Sequence, residues 1–145
     1  RSPSRGLGDV YKRQAWDKRY KPNLDLNHAW GGAPANIIVR KMMGVAPLTS
    51  GAQKIKIHPK IGTLEFAILK TSFITGTVEL ECRQTDNTFA MKVNLPGGVK
   101  GDLMIPALKG EKKLYINGQP RQKQAEKGYF HLKDFPAGKT SFEVK

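Results

Sequence analysis

Val78-Glu79-Leu80-Glu81-Cys82-Arg83, then Thr85-Asp86-Asn87-Thr88, then Phe89-Ala90-Met91-Lys92-Val93 is the stretch whose reading decides the fold. In the first run apolar and charged residues alternate, and in the second Phe89, Met91 and Val93 recur at every other position. A two-residue period belongs to a strand with one buried and one wet face. The four residues between are turn formers, so the two runs read as neighbouring antiparallel strands. Cys82 falls on the inward side, where a thiol behaves as a small, inert hydrophobe.

Working outward, the same period recurs down the chain. Ile55 and Ile57 alternate with Lys54 and Lys56, and Pro59 ends that run. Leu64, Phe66 and Ile68 form another, and paired apolar positions follow at Leu103 and Ile105, Leu114 and Ile116, Phe130 and Leu132, and Phe142 and Val144. Pro96-Gly97-Gly98, Asn117-Gly118 and Pro136-Ala137-Gly138 separate them. Short strands with a turn signal about every ten residues predict a mainly β fold, an antiparallel β-sandwich of about seven or eight strands over residues 47–145.

Upstream the period changes. Asp25-Leu26-Asn27-His28-Ala29-Trp30-Gly31-Gly32-Ala33-Pro34 leads into an apolar run from Ile37 to Met43, followed by Gly44. Ile37, Ile38, Met42 and Val45 fall on one side of a helix, with Asn27 as a candidate N-cap or Pro34 as a first-turn residue. Arg40 and Lys41 suit the last turn, and Gly44 suits the left-handed position past it. Residues 15–27 are polar with Trp16, Tyr20 and Pro22 and read as a loop. Residues 1–14 carry four basic groups and one acid without any structural period. They read as an adaptor-derived sequence or a structureless basic tail. The expected organisation is therefore 1–14 tail, 15–46 loop and helix, and 47–145 sandwich.

The chain of 145 residues is 39% hydrophobic and 26% charged, as expected of one globular domain with a modest core. No run reaches the roughly 18 apolar residues of a membrane span, and no membrane partner is expected. The basic, polar start has no apolar core of a secretory signal, which bears on the protein only if Arg1 is its first residue. A single cysteine excludes an internal disulfide framework. The net charge of +13 raises a nucleic-acid reading. No block of consecutive basic residues supports it, and most lysines alternate with apolar residues on strand faces, so no nucleic-acid partner is expected. The excess lysine suits either an acidic polysaccharide or simple solubility.

Site motifs are few. His28, His58 and His131 are far apart without partners at ligand spacing, so no metal and no cofactor is expected. His58 and His131 read as surface residues. Gly138-Lys139-Thr140 lacks the upstream glycine and following helix of a phosphate loop. Asp17 and Asp25 are acids whose spacing alone places nothing across a substrate.

Ala15-Trp16-Asp17, Asn27-His28-Ala29-Trp30-Gly31, Met43-Gly44-Val45-Ala46-Pro47-Leu48 and Ile57-His58-Pro59, with Gly62-Thr63-Leu64, together resemble the C-terminal end of bacterial α-L-rhamnosidases of glycoside hydrolase family 78. The resemblance spans residues 15–145 and is most specific over 15–80. It implies the last helix of an (α/α)6 catalytic barrel handing over to a C-terminal sandwich, with a rhamnose-containing glycan as substrate and the rest of the barrel as partner. It also implies inverting hydrolysis, which uses two carboxyl groups roughly 6.5–9.5 Å apart. By this resemblance His28 is a sugar-binding residue and Trp16 and Trp30 wall the sugar pocket. The family's general acid would lie in upstream barrel helices. Its general-base glutamate falls where this chain has Gln14, which cannot accept a proton as a carboxylate does. No catalytic residue is therefore assigned. The parent protein is expected to be periplasmic or secreted, and the fragment to be inactive and prone to self-association through its bared helix, with the sandwich packing on Ile37, Ile38 and Met42 or their neighbours. A stand-alone carbohydrate-binding sandwich is the alternative, with Phe73, Tyr115 and Tyr129 as its exposed aromatics.

Overall fold

The computed structural model describes residues 33–108 and 113–145. Gln14, Trp16, His28 and Trp30, the tail of residues 1–14 and the loop of residues 15–27 lie outside the described residues. The chain divides into two compact units, residues 1–38 and 39–145.

In the first unit the described part is helix α1, Ala33–Ile37, and the first residue of a π-helical turn, Ile38–Met42. The helix is thus shorter than its apolar spacing predicts. A π turn spreads the chain over more residues than an α turn, so the expected 3.6-residue stripe is lost. Val39 and Met42 pack on the core, whereas Ile37 and Ile38 are exposed and Val45 already belongs to a strand.

Among the described residues the second unit is a sandwich of ten strands. These are β1 Val45–Pro47, β2 Lys54–Ile57, β3 Phe66–Phe73, β4 Gly76–Gln84, β5 Phe89–Leu95, β6 Lys100–Pro106, β7 Leu114–Ile116, β8 Gln119–Arg121, β9 Tyr129–Phe135 and β10 Gly138–Val144. One sheet has the order β1-β2-β6-β9 and the other β3-β4-β5-β10-β7-β8. The deciding hairpin is β4–β5, with Cys82 opposite Met91 and Leu80 opposite Val93. Every pair is antiparallel except β2 with β6, which run parallel from Lys54 opposite Lys100 to Ile57 opposite Leu103. Ile55, Ile57, Leu103, Ile105 and Phe130 from the smaller sheet meet Leu80, Cys82, Met91 and Phe142 from the larger in one core. Each such side chain stabilises the fold by roughly 1.5–3 kcal/mol relative to exposure.

β3 departs from the sequence reading. Ala67 and Leu69 face inward, leaving Phe66 and Ile68 on the outer face at 58% and 66% exposure. β3 is the edge of its sheet, paired only to β4. A one-residue register change exchanges the two faces of a strand, and the ladder with β4 places Ala67 opposite the buried Cys82.

Two local devices fix the smaller sheet. Between Gly101 and Leu103 the β6–β9 register slips. There Asp134 adopts φ 53°, and its N–H donates to Asp102 Oδ1 at 3.0 Å. Lys54 on β2 then reaches both Asp102 and Asp134, at 3.0 and 3.1 Å, tying three strands together. At the start of β1, Gly44 has φ +68°, as its place past the helix predicts. Its carbonyl accepts the His58 N–H at 3.1 Å, while the Met42 carbonyl accepts the Lys60 N–H at 2.7 Å.

Candidate functional site

A broad concavity lies on the outer face of the six-stranded sheet. It is an open depression of about 600 Å3 that draws side chains from β3, β4, β5 and β10 and from the turn after β7. Strand alternation explains its character. Leu80, Cys82, Met91 and Val93 are turned inward, so Glu79, Glu81, Lys92 and Asn94 must point outward. Cross-strand register sets them in rows: Lys70–Glu79–Asn94–Lys139 and Ile68–Glu81–Lys92–Ser141.

The acids of this face are already occupied. Glu79 Oε2 accepts from Asn94 Nδ2 at 3.1 Å and Oε1 meets Lys70 Nζ at 3.1 Å. The Asn94 hydrogen bond, then Lys70, hold its carboxyl below the usual range. Glu81 Oε1 accepts from Arg83 Nε at 2.7 Å, which likewise lowers its carboxyl. Two residues along one strand lie roughly 7 Å apart, a separation at which an inverting hydrolase sets its carboxyl pair. A general acid needs a raised pKa, and both of these are lowered.

Asn117, at φ 48° in the turn after β7, accepts the Ser141 N–H at 2.9 Å and the Ser141 hydroxyl at 3.3 Å through Oδ1. No sequence signal singled this residue out beyond its place in an Asn-Gly turn. Lys92 and Lys139, by contrast, form no ion pair within 4 Å among the described residues.

A smaller cavity of about 170 Å3 lies on the other sheet beside Lys56, Asp102, Met104 and His131. Nearby His58 is half-buried rather than on the surface. Its ring stands edge-on to Tyr129 at 4.7 Å and its Nε2 has no hydrogen-bond partner. Burial, then the charges of Lys60 and Lys56, press its pKa down to about 4. Among the described residues no group of His, Cys, Asp and Glu side chains could hold a metal ion. The aromatics expected to be exposed are half-buried: Phe73 packs on the core, Tyr129 on His58, and Lys145 Nζ covers the Tyr115 ring at 4.8 Å.

Two packed sheets and an ion-paired outer face make the second unit a β-sandwich. The sequence profile of the bacterial α-L-rhamnosidase C-terminal domain matches residues 44–122, and the chain belongs to that family. Solved structures agree in fold. The α-L-rhamnosidase of Dictyoglumus thermophilum is 21% identical with a TM-score of 0.73, over 83% of this chain and 14% of that one. That of Streptomyces avermitilis, complexed with L-rhamnose, is 22% identical with a TM-score of 0.68, over 83% of this chain and 12% of that one. That of Aspergillus terreus is 17% identical with a TM-score of 0.63, over 83% and 12% respectively. The chain thus spans about one-seventh or less of the proteins it resembles. No curated protein sequence matches it.

Proposed function

We propose that this chain is the C-terminal portion of a longer family 78 α-L-rhamnosidase, which removes terminal α-L-rhamnosyl groups from glycans with inversion. In this reading residues 15–46 are a loop and terminal helix of the catalytic barrel, and residues 47–145 are the appended sandwich. His28 is a sugar-binding residue there, with Trp16 and Trp30 as pocket walls whose faces suit the C–H surface of a deoxy sugar. The general acid and base belong to the barrel, and this fragment alone is inactive. The observation that carries the reading is the family match over residues 44–122. The engaged state of Glu79 and Glu81, each held ionised by a hydrogen-bonding or cationic neighbour, supports catalysis residing elsewhere.

The test compares the 145-residue chain with the longer protein on an aryl α-L-rhamnoside, following the released sugar by NMR. The longer protein should release β-rhamnose first, the inverted anomer, while the chain alone releases none. Replacing His28 with Ala in the longer protein should raise KM more than it lowers kcat. Hydrolysis by the isolated chain, or α-rhamnose as first product, would overturn the reading.

A further inference from the structure

We propose that the depression on the outer face of the six-stranded sheet binds a carboxylated oligosaccharide, a short glycan bearing uronic-acid groups, with Lys92 and Lys139 taking a carboxylate. The choice of a glycan rests on the proposed function, and the site itself rests on charge and geometry.

The charges come first. Lys70 pairs with Glu79 and Arg83 with Glu81 at contact distance, while Lys92 and Lys139 act on Glu81 and Glu79 only through longer-range attraction, which leaves their ammonium groups open to a ligand. The ladder puts Lys92 opposite Ser141 and Asn94 opposite Lys139. The two lysines thus occupy opposite corners of a four-residue square, a diagonal of about 7–8 Å between strands. From those positions the flexible lysine stems can bring both ammonium groups onto one anion, which offsets their mutual repulsion.

Hydroxyl recognition comes from the other two corners. Asn117 Oδ1 is spent on Ser141, which leaves the Asn117 amide N–H groups as fixed donors. Asn94 Nδ2 is spent on Glu79, which leaves its carbonyl oxygen as a fixed acceptor. Ile68, exposed on the edge strand, and the methylene stems of the lysines give an apolar surface for a sugar's C–H face. The volume of about 600 Å3 lies within the range of small-ligand sites.

The test is an 15N NMR titration of the 145-residue chain at low salt with tetragalacturonate, its methyl ester, and inorganic phosphate. Tetragalacturonate should bind with a Kd below about 1 mM, moving amides of β5, β10 and the turn at Asn117. Methyl esterification should weaken binding at least tenfold, and so should the double substitution Lys92→Gln and Lys139→Gln. Should the double variant misfold, Ser141→Ala tests the same square and should weaken binding severalfold. Absence of shifts at about 10 mM sugar, unchanged affinity in the variants, equal shifts from phosphate alone, or tighter binding of a DNA duplex would each overturn the proposal. Rhamnoside hydrolysis by the longer protein tests the family reading separately, so failure of one is distinguishable from failure of the other.

Discussion

Replacing Gly44 with Ala should cost far more than the loss of one turn glycine, because Gly44 is buried between helix and strand. A Cβ built there meets the His58 carbonyl oxygen at 1.8 Å and its carbon at 2.3 Å. Carbon–oxygen contacts between strands run about 3.3–3.6 Å, so the two backbones must part by roughly 1.5 Å. The backbone cannot part freely, because His58 N–H to Gly44 O and Lys60 N–H to Met42 O bracket the contact and β1–β2 pairing continues beyond. Loss of those two hydrogen bonds costs about 1–3 kcal/mol. A left-handed alanine adds about 1–2 kcal/mol, giving a total of about 2–5 kcal/mol. Gly51 supplies the control: it has the same φ of +68° with nothing within 4 Å of its Cβ position. Gly51→Ala should therefore cost only the conformational part, and the difference between the variants isolates the collision. Urea unfolding followed by far-UV circular dichroism measures both. Equal losses for the two alanines would refute the reasoning.

Other consequences are as direct. His58 is held neutral when folded, so stability should fall as pH drops from about 6.5 toward 4, where the unfolded chain takes up a proton the native one refuses. Discounted for solvent screening, the loss is about 1–2 kcal/mol, and His58→Phe should flatten that stretch of the stability–pH curve. A curve as steep in the variant would point to other groups. Burial, with Glu81 beside it, pushes the Cys82 thiol up to about 12, so iodoacetamide at pH 8 should label it only in denaturant. Rapid native labelling would contradict its place in the core. Phe142→Ala should lose about 3–5 kcal/mol, whereas Phe66→Ser should stay within about 0.5 kcal/mol of the parent. Similar losses at the two would mean that the β3 register is wrong.

How far the sequence could be read depended on how much each face was constrained. β4 and β5 are central strands, so Leu80, Cys82, Met91 and Val93 had to be buried and their period revealed them. β3, at an edge, has its larger apolar residues outside and Ala67 inside, and hydrophobicity alone assigned its faces the wrong way round. The parallel pairing of β2 with β6 joins residues far apart in sequence, a contact that no local period carries. β1 and β8 are three residues each, too short to show a period. The outer-face depression escaped notice for a related reason: its residues come from four strands, and only the register brings Lys92, Ser141 and Lys139 together. His58 looked like a surface residue because its burial comes from Tyr129, on a strand that pairs with β6 rather than with β2.

The position of β10 has a kinetic meaning. It is inserted between β5 and β7 in the middle of the larger sheet, although it follows every other described strand in the sequence. During synthesis the β3-β4-β5 meander can form from local hairpins, but β7 and β8 have nothing to dock on until Gly138–Val144 has left the ribosome. Until then the β5 edge carries unpaired backbone groups and the core lacks Phe142. Final closure of this domain consequently waits on its last described strand, and losing β10 removes a sheet's centre rather than its fringe.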